Sequence, residues 1–387
     1  MFKIQTFNRI STVGLELFSR DLYEVASEII NPDAIIVRSF DLNSMEFPPS
    51  LKAIARAGIG VNNIPINRCS EMGIVVFNTP GANSNSVKEL VITGILISSR
   101  NVIQAVQWAK SLVGKGEQVP ELIEKGKSQF AGPEIKGKNL GVIGLGSIGV
   151  MVANDALSLG MHVVGYDPFI SVDSAWGLSR EVKRAKGLES LLSHSDYISL
   201  HVPLTEHTKG MINKERFGMM KKGVRLLNFA RGGLVVREDL KEAIAKGIVS
   251  CYVTDFPDEE LLKMDNVIGI PHLGASTPEA EENCALMAVQ ELKDFLERGN
   301  IRNSVNFPDC EMDLTGERRI LIANRNIPTM VGQITAVLAE EGINIADMLN
   351  RSKGNLAYNI IDIDSDISQK SLEKIRNIQG VLSVRVI

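Results

Sequence analysis

The chain has 387 residues and a formal net charge of −4, with 44% hydrophobic and 23% charged residues. That is the composition of an ordinary globular protein, long enough for roughly two or three domains with large cores and no disulfide staples. The mild negative charge, without a basic tail, argues against nucleic acid or an anionic membrane as partner.

The start, "MFKIQTFNRI", lacks the apolar core of a signal peptide, and no apolar run reaches membrane-spanning length. "DAIIVRSF" (33–40) reads as a buried strand, and "LKAIARAG" and "GIVVFNTP" continue an alternation of helix-like and strand-like segments. A long helical pattern follows from Ser86 to Leu112, stopped before by Pro80 and Gly81 and after by Gly114 and Gly116. From Lys138 to Leu273 apolar strands alternate with helices: "NLGVIGL", "HVVGYD", "YISLHVP", "RLLNFA", "SCYVTDF" and "NVIGIP" are the strands. This rhythm implies parallel strands covered on both faces. One helix is expected from Pro278 to Arg298, with Thr277 as N-cap, acidic residues 279, 281 and 282 in its first turn, and Gly299 ending it. The polar stretch 300–317 reads as a linker. Beyond it the order is β-α-β-β-α-β, which is ferredoxin-like. Cys69, Cys251, Cys284 and Cys310 are far apart and form no metal-ligand pattern. They read as reduced thiols of a cytosolic protein, with no metal expected.

Gly144-Leu-Gly146-Ser-Ile-Gly149 follows an apolar strand and opens a helix, and Asp167 ends the next strand 18 residues beyond Gly149. A lone GxGxxG is a weak signal, but this context is that of a dinucleotide fingerprint. Gly144 allows the tight turn, Gly146 the approach of a pyrophosphate, and Gly149 close helix–strand packing. Asp167 accepts hydrogen bonds from the adenosine ribose and repels a 2′-phosphate. No arginine follows it, which favours NAD over NADP.

Three strand ends, "NFARGG", "TDFPDEE" and "IPHLGAST", fall downstream. Ligands of open parallel sheets bind outside the carboxyl ends of strands. Arg231, Glu260 or Glu259, and His272 are therefore candidates for one crevice. A permanent cation at the tip of a buried-looking strand requires either an acidic partner inside the protein or an anionic ligand. Hydride transfer to a 2-keto acid uses these residue types: a histidine to handle the proton, a carboxylate to hold the imidazole and raise its pKa, and an arginine to bind the substrate carboxylate and polarise the carbonyl.

The motifs "VRSF", "ARAGIGVNNIPI", "VFNTPGANSNSVKEL", "GVIGLGSIG", "HVPLTEHTKGMIN", "LLNFARGGLV" and "NVIGIPHLGASTPEAE" cover nearly the whole chain. By them the chain resembles the D-isomer-specific 2-hydroxyacid dehydrogenases, and within that family the phosphoglycerate-oxidising members with a C-terminal ACT module. The resemblance implies an α/β fold. A Rossmann-like NAD-binding domain (98–275) and a flavodoxin-like substrate domain (1–97 and 276–302), both with parallel sheets, are followed by a linker (303–316) and a ferredoxin-like ACT domain (317–387). It implies NAD-dependent oxidation of D-3-phosphoglycerate to 3-phosphohydroxypyruvate, which opens the phosphorylated route to serine, in a homodimer or homotetramer. The rivals are another D-2-hydroxyacid dehydrogenase and an NAD-sensing scaffold.

By the same resemblance the catalytic residues are Arg231, His272 and Glu260. The family's glutamate lies about 29 positions after its arginine, and 260 − 231 = 29. The acid–proline step common in the family is missing from "FPDEELL", so Glu259 stays open. Ser147, Ile148, Asp167, His201, Pro203, Phe229, Ala230, Asp255, Gly274 and Ala275 are expected at the NAD site with the three glycines. Arg38, Ser39, Arg56, Gly58, Gly60 and Asn83 are expected at the substrate. Asn324, Asn326 and Asn344 match the positions at which related ACT modules hold an effector such as L-serine. Here Asn324 replaces a histidine, and Thr329 replaces the glycine of an "RPG"-like turn.

Overall fold

The structure is a computed structural model that describes residues 1–387. Its contacts divide the chain into two compact units, residues 1–83 with 278–387, and residues 84–277.

In the first unit, β1 (Phe2–Phe7), β2 (Tyr23–Ala26), β3 (Ala34–Val37), β4 (Ala53–Arg56) and β5 (Val75–Asn78) form a parallel sheet in the order β2-β1-β3-β4-β5. This is the flavodoxin-like order. "LKAIARAG", read from sequence as helix-like, supplies β4 instead; its small residues are buried on both faces of a central strand. The period of two sorts the core. Ala34, Ile36, Ala53, Ala55, Val75 and Phe77 pack with Ala285, Ala288, Leu292 and Phe295 of the helix Pro278–Arg298. Ile35, Val37, Ile54 and Val76 pack with Leu42, Ile64 and Cys69 on the other face.

In the second unit, β6 (Asn139–Ile143), β7 (His162–Tyr166), β8 (Lys183–Arg184), β9 (Tyr197–Leu200), β10 (Val224–Asn228), β11 (Val249–Thr254) and β12 (Val267–Gly269) are all parallel, in the order β12-β11-β10-β9-β6-β7-β8. The strand order reverses between β6 and β9, the ligand-binding switch point of a Rossmann-like sheet. The single helix expected over 86–112 is two, Ser84–Arg100 and Val102–Lys110, meeting at 66°. Asn101 breaks it by taking the left-handed conformation, φ 49°. The first of these helices buries Val87, Val91 and Ile95 against Leu140, Leu227 and Phe229. Residues 84–97 therefore belong with the nucleotide-binding sheet, and the boundary drawn at residue 97 moves to Asn83. No single helix is long and apolar enough to cross a membrane.

At the C-terminus β13 (Arg318–Arg325), β14 (Ile345–Lys353), β15 (Leu356–Ile363) and β16 (Val381–Val386) form an antiparallel sheet in the order β14-β15-β13-β16. The helices Met330–Glu340 and Gln369–Arg376 cover one face through Ile334, Leu338 and Ile375. This is the expected ferredoxin-like module. The stretch before it is not a free linker. Asn306 accepts from the Val76 N–H (2.9 Å) and donates to the Ile74 carbonyl (2.9 Å), satisfying the outer edge of β5, while Phe307 and Cys310 are buried. The polar composition that reads as a linker is what closes a sheet edge.

A buried ion pair inside the module also ties it to this strap through backbone carbonyls. Arg319 donates to both oxygens of Asp362 (2.6 and 2.9 Å) and to the carbonyls of Arg298, Met312 and Asp313. Burial pushes the Asp362 carboxyl up, but the Arg319 and Thr315 bonds outweigh it and hold it below its ordinary range. Asp362→Ala leaves a buried guanidinium unpaired and is expected to cost about 3–5 kcal/mol of stability. A chemical-denaturation midpoint equal to the parent's refutes this.

Glu291 is the opposite case. It is buried with one oxygen held by Asn303 (2.8 Å) and the other without a partner. Burial pushes its carboxyl from 4.5 up to about 8. A group protonated in the folded state and ionised in the unfolded one makes stability fall as pH rises from about 4.5 to about 8. Glu291→Gln is expected to melt several degrees above the parent at pH 8 and level with it at pH 4. Equal melting temperatures at both pH values contradict this.

Candidate active site

The glycine turn between β6 and the helix Ser147–Ser158 is crowded at two of its three glycines. Gly144 has φ 92°, and a Cβ there lies 2.5 Å from the His201 carbonyl oxygen at the end of β9. A Cβ on Gly149 lies 2.0 Å from the Gly144 oxygen, whereas one on Gly146 meets nothing within 4 Å. The first and third glycines are packing requirements, and the second opens onto free space at a helix N-terminus, where anions are favoured. Asp167 receives the Leu145 and Phe169 N–H groups (2.8 Å each), which fixes its carboxylate beside the turn. Ser147 bonds Ser84 (2.9 Å), a partner the sequence did not suggest. Ile148 is half-buried in the same helix.

His201 lies beneath the turn, with Nε2 2.8 Å from the Ser199 hydroxyl, and burial pushes its imidazole down to about 4. It is a neutral floor for the turn. Pro203 is exposed just beyond it. Phe229 departs from expectation. Its ring is buried against Gly94, where a Cβ comes within 3.0 Å, so it is a core side chain and only its backbone lies at the strand end.

At the end of β10 the side chain of Asn228, fully buried, clamps the next turn. Its oxygen accepts from Ala230 and Arg231 N–H (3.2 and 3.3 Å); its amide donates to the Arg231 carbonyl (2.9 Å) and the Tyr252 hydroxyl (3.1 Å). Sequence reasoning passed over Asn228 because a polar residue ending a strand carries no distinctive signal. The Arg231 side chain is exposed, bonds the Ala230 carbonyl (2.7 Å), and forms no ion pair. No acid inside the protein claims it.

Asp255, at the end of β11, is buried, and its Oδ1 has no hydrogen-bond partner. Burial raises its pKa, countered by the charges of His272 and Arg231, so Asp255 is in electrostatic reach of both. His272 packs on Phe256 with ring centroids 4.7 Å apart. Gly274 is buried beside Asp255, its carbonyl held by Ser86 (2.6 Å), and Ala275 is half-exposed next to it.

The expected carboxylate–imidazole pair is not formed. Asp258 caps the short helix Glu259–Leu262 by accepting the Leu261 N–H (2.9 Å). That helix sets Glu259 and Glu260 one turn from Lys263, which pairs with both (3.0 and 2.8 Å). Neither glutamate bonds His272.

In the other unit Arg38 and Arg56 end neighbouring strands. Arg56 Nε donates to the Arg38 carbonyl (3.1 Å), and burial followed by the Arg38 charge lowers the Arg56 pKa. Arg38 is paired with Glu281 (2.7 Å). Gly58 takes φ 141°, a backbone that favours glycine, and the Arg56 guanidinium lies across it. The Ser39 and Phe40 N–H groups are both taken by Asn8, whose left-handed φ of 68° aims its side chain at them. Gly60 is half-exposed, and Asn83 is buried with its oxygen unpartnered. This is a cationic, hydrogen-bonding corner suited to an anion.

The three asparagines expected at an effector site are not brought together. Asn324 pairs opposite Ala357 and is buried in an amide chain, receiving from Asn359 (2.7 Å), which receives from Asn350 (2.6 Å). Asn326 donates to Gly354, near the same end of the sheet. Asn344 donates to Asp364 at the opposite end (2.6 Å). Thr329 keeps the left-handed backbone, φ 70°, that a glycine adopts without strain. No group of three or more metal-ligating side chains is present.

Residues 93–274 match the family model of the D-isomer specific 2-hydroxyacid dehydrogenase NAD binding domain. The chain is 35% identical over 88% of its length to a D-3-phosphoglycerate dehydrogenase of Methanocaldococcus jannaschii, of which it spans only 63%. It is 33% identical over 89% of its length to a D-3-phosphoglycerate dehydrogenase of Haemophilus influenzae, spanning 83% of that protein. A solved NAD+-bound 3-phosphoglycerate dehydrogenase of Entamoeba histolytica superposes with a TM-score of 0.62 at 27% identity, over 79% of this chain and 98% of that one. With its glycine turn, its reversal of strand order between β6 and β9 and these relatives, the chain belongs to the D-isomer specific 2-hydroxyacid dehydrogenases, and residues 93–274 are its NAD-binding domain.

Proposed function

We propose that this protein oxidises D-3-phosphoglycerate to 3-phosphohydroxypyruvate with NAD. The observation that carries the reading is Arg231, a strand-end guanidinium with no carboxylate partner, in electrostatic reach of the same Asp255 as His272. The residues fit the cofactor. Gly146 leaves room at a helix N-terminus, the Asp167 carboxylate fixed beside the turn suits ribose hydroxyls, and the orphaned Asp255 Oδ1 suits an amide donor.

NAD, when bound, supplies the hydride acceptor. Arg231 binds the substrate carboxylate and steadies charge on the reacting oxygen. His272 takes the hydroxyl proton. Arg38 and Arg56 receive the phosphate, with Ser39, Gly58, Gly60 and Asn83 around it. Glu260 or Glu259 serves His272 only by leaving Lys263, whereas Asp255 is the acid already in reach. We further propose a cytosolic homodimer or homotetramer whose C-terminal module is an ACT-type regulatory unit, with L-serine as the effector to test.

NADH formation over a panel of 2-hydroxy acids tests the reading. D-3-phosphoglycerate is expected to have the highest kcat/KM, with NAD preferred over NADP. A higher value for an unphosphorylated acid such as glycerate or 2-hydroxyglutarate assigns the enzyme to another branch of the family.

A further inference from the structure

At the amino-terminal ends of β6, β9 and β10, the opposite end of the sheet from the glycine turn and Arg231, lies a cavity of about 190 Å³. Its lining includes four cations, Lys138, Lys221, Lys222 and Arg225, and one carboxylate, Asp196. Asp196 is already satisfied. It accepts from the Asn139 N–H (2.8 Å) and from Lys221 (3.0 Å), and although burial pushes its pKa up, these partners bring it below the ordinary range. Lys138, Lys222 and Arg225 form no ion pair. Arg225 is half-buried: its Nε donates to the Ser98 carbonyl (3.0 Å) and its Cζ lies 5.5 Å from the Tyr197 ring centre, which leaves both terminal nitrogens without a protein acceptor.

Like charges gathered around a partly desolvated space repel one another, and a half-buried guanidinium with two of its three nitrogens unpartnered is costly. An anion removes both penalties, and a forked guanidinium beside ammonium groups suits a tetrahedral oxyanion. The lining carries 4 − 1 = 3 positive charges in excess. The volume is that of about six waters, which admits a phosphate and excludes a nucleotide. We propose that this cavity is a second anion site that binds a phosphate dianion, as the free ion or as the end of a small phosphomonoester. The inference stands apart from the proposed reaction, since none of its residues is used there.

Inorganic phosphate is titrated calorimetrically into the full chain at constant ionic strength, with chloride as the balancing anion. An Arg38→Gln background weakens the other candidate phosphate position. One phosphate per chain is expected to remain in that background. Lys138→Gln with Lys222→Gln is expected to weaken it at least ten-fold. Both lysines are exposed, so the fold survives the change. The same pair of substitutions in the unaltered chain removes one phosphate from the stoichiometry. Methyl phosphate binding as well as phosphate identifies a monoester site; phosphate binding alone identifies a free-ion site. No phosphate bound in the Arg38→Gln background, or an affinity unchanged by the lysine substitutions, overturns the proposal.

Discussion

His272→Ala is expected to lower turnover by about 10²–10⁴-fold, the usual effect of removing one acid–base group. The structure makes the result easy to interpret. The imidazole is exposed, bonds no other side chain, and only packs at a tilt against Phe256. Its removal costs little packing, so the melting temperature should stay within a degree or two of the parent's. The glycine turn lies on other strands, so NADH affinity measured by fluorescence should be retained. Near-normal turnover removes His272 from the mechanism. A companion measurement decides which carboxylate serves it: of Asp255→Asn and Glu260→Gln, the one that lowers kcat while its melting temperature stays at the parent's names the acid that holds the imidazole in place.

Arg231→Lys keeps the charge and loses the planar fork. It is expected to reduce kcat by about 10²–10³-fold, in line with loss of a donor to developing charge on oxygen. KM should rise as well, because the same group holds the substrate carboxylate in the ground state. Had Arg231 been the partner of a buried acid, its truncation would strand that acid and destabilise the fold. It has no such partner and its side chain is exposed, so Arg231→Ala should melt with the parent. Steady-state kinetics and thermal melting on one sample test both halves. A destabilised protein whose folded fraction turns over normally defeats the catalytic assignment.

Local chemistry made much of this protein legible from its residues. The strands β6, β9 and β10 of the nucleotide-binding unit are short apolar runs buried on both faces, as parallel strands covered by helices are. Gly144, Gly146 and Gly149 have distinct steric tasks that depend on a strand before and a helix after, and both neighbours are encoded next to them. The ferredoxin-like order of the last module likewise follows from alternating strand and helix patterns.

What escaped depends on partners distant along the chain. The small residues of "AIAR" suit a helix as well as a strand, and become the interior strand β4 only because β3 and β5 flank them. The polar segment 300–317 looked like a linker because its role lies in closing the edge of β5, more than 200 residues earlier. The chain order of Arg231, Glu260 and His272 was visible, but side-chain pairing is settled by competition. The one-turn helix capped by Asp258 gives Lys263 to both glutamates and leaves Asp255 in reach of the imidazole. Hydrophobic periodicity is a property of neighbouring residues and survives in one dimension. Which charge finds which is a matter of distances of a few ångströms in three dimensions, where Coulomb energies and desolvation change steeply, and that the tertiary structure alone decided.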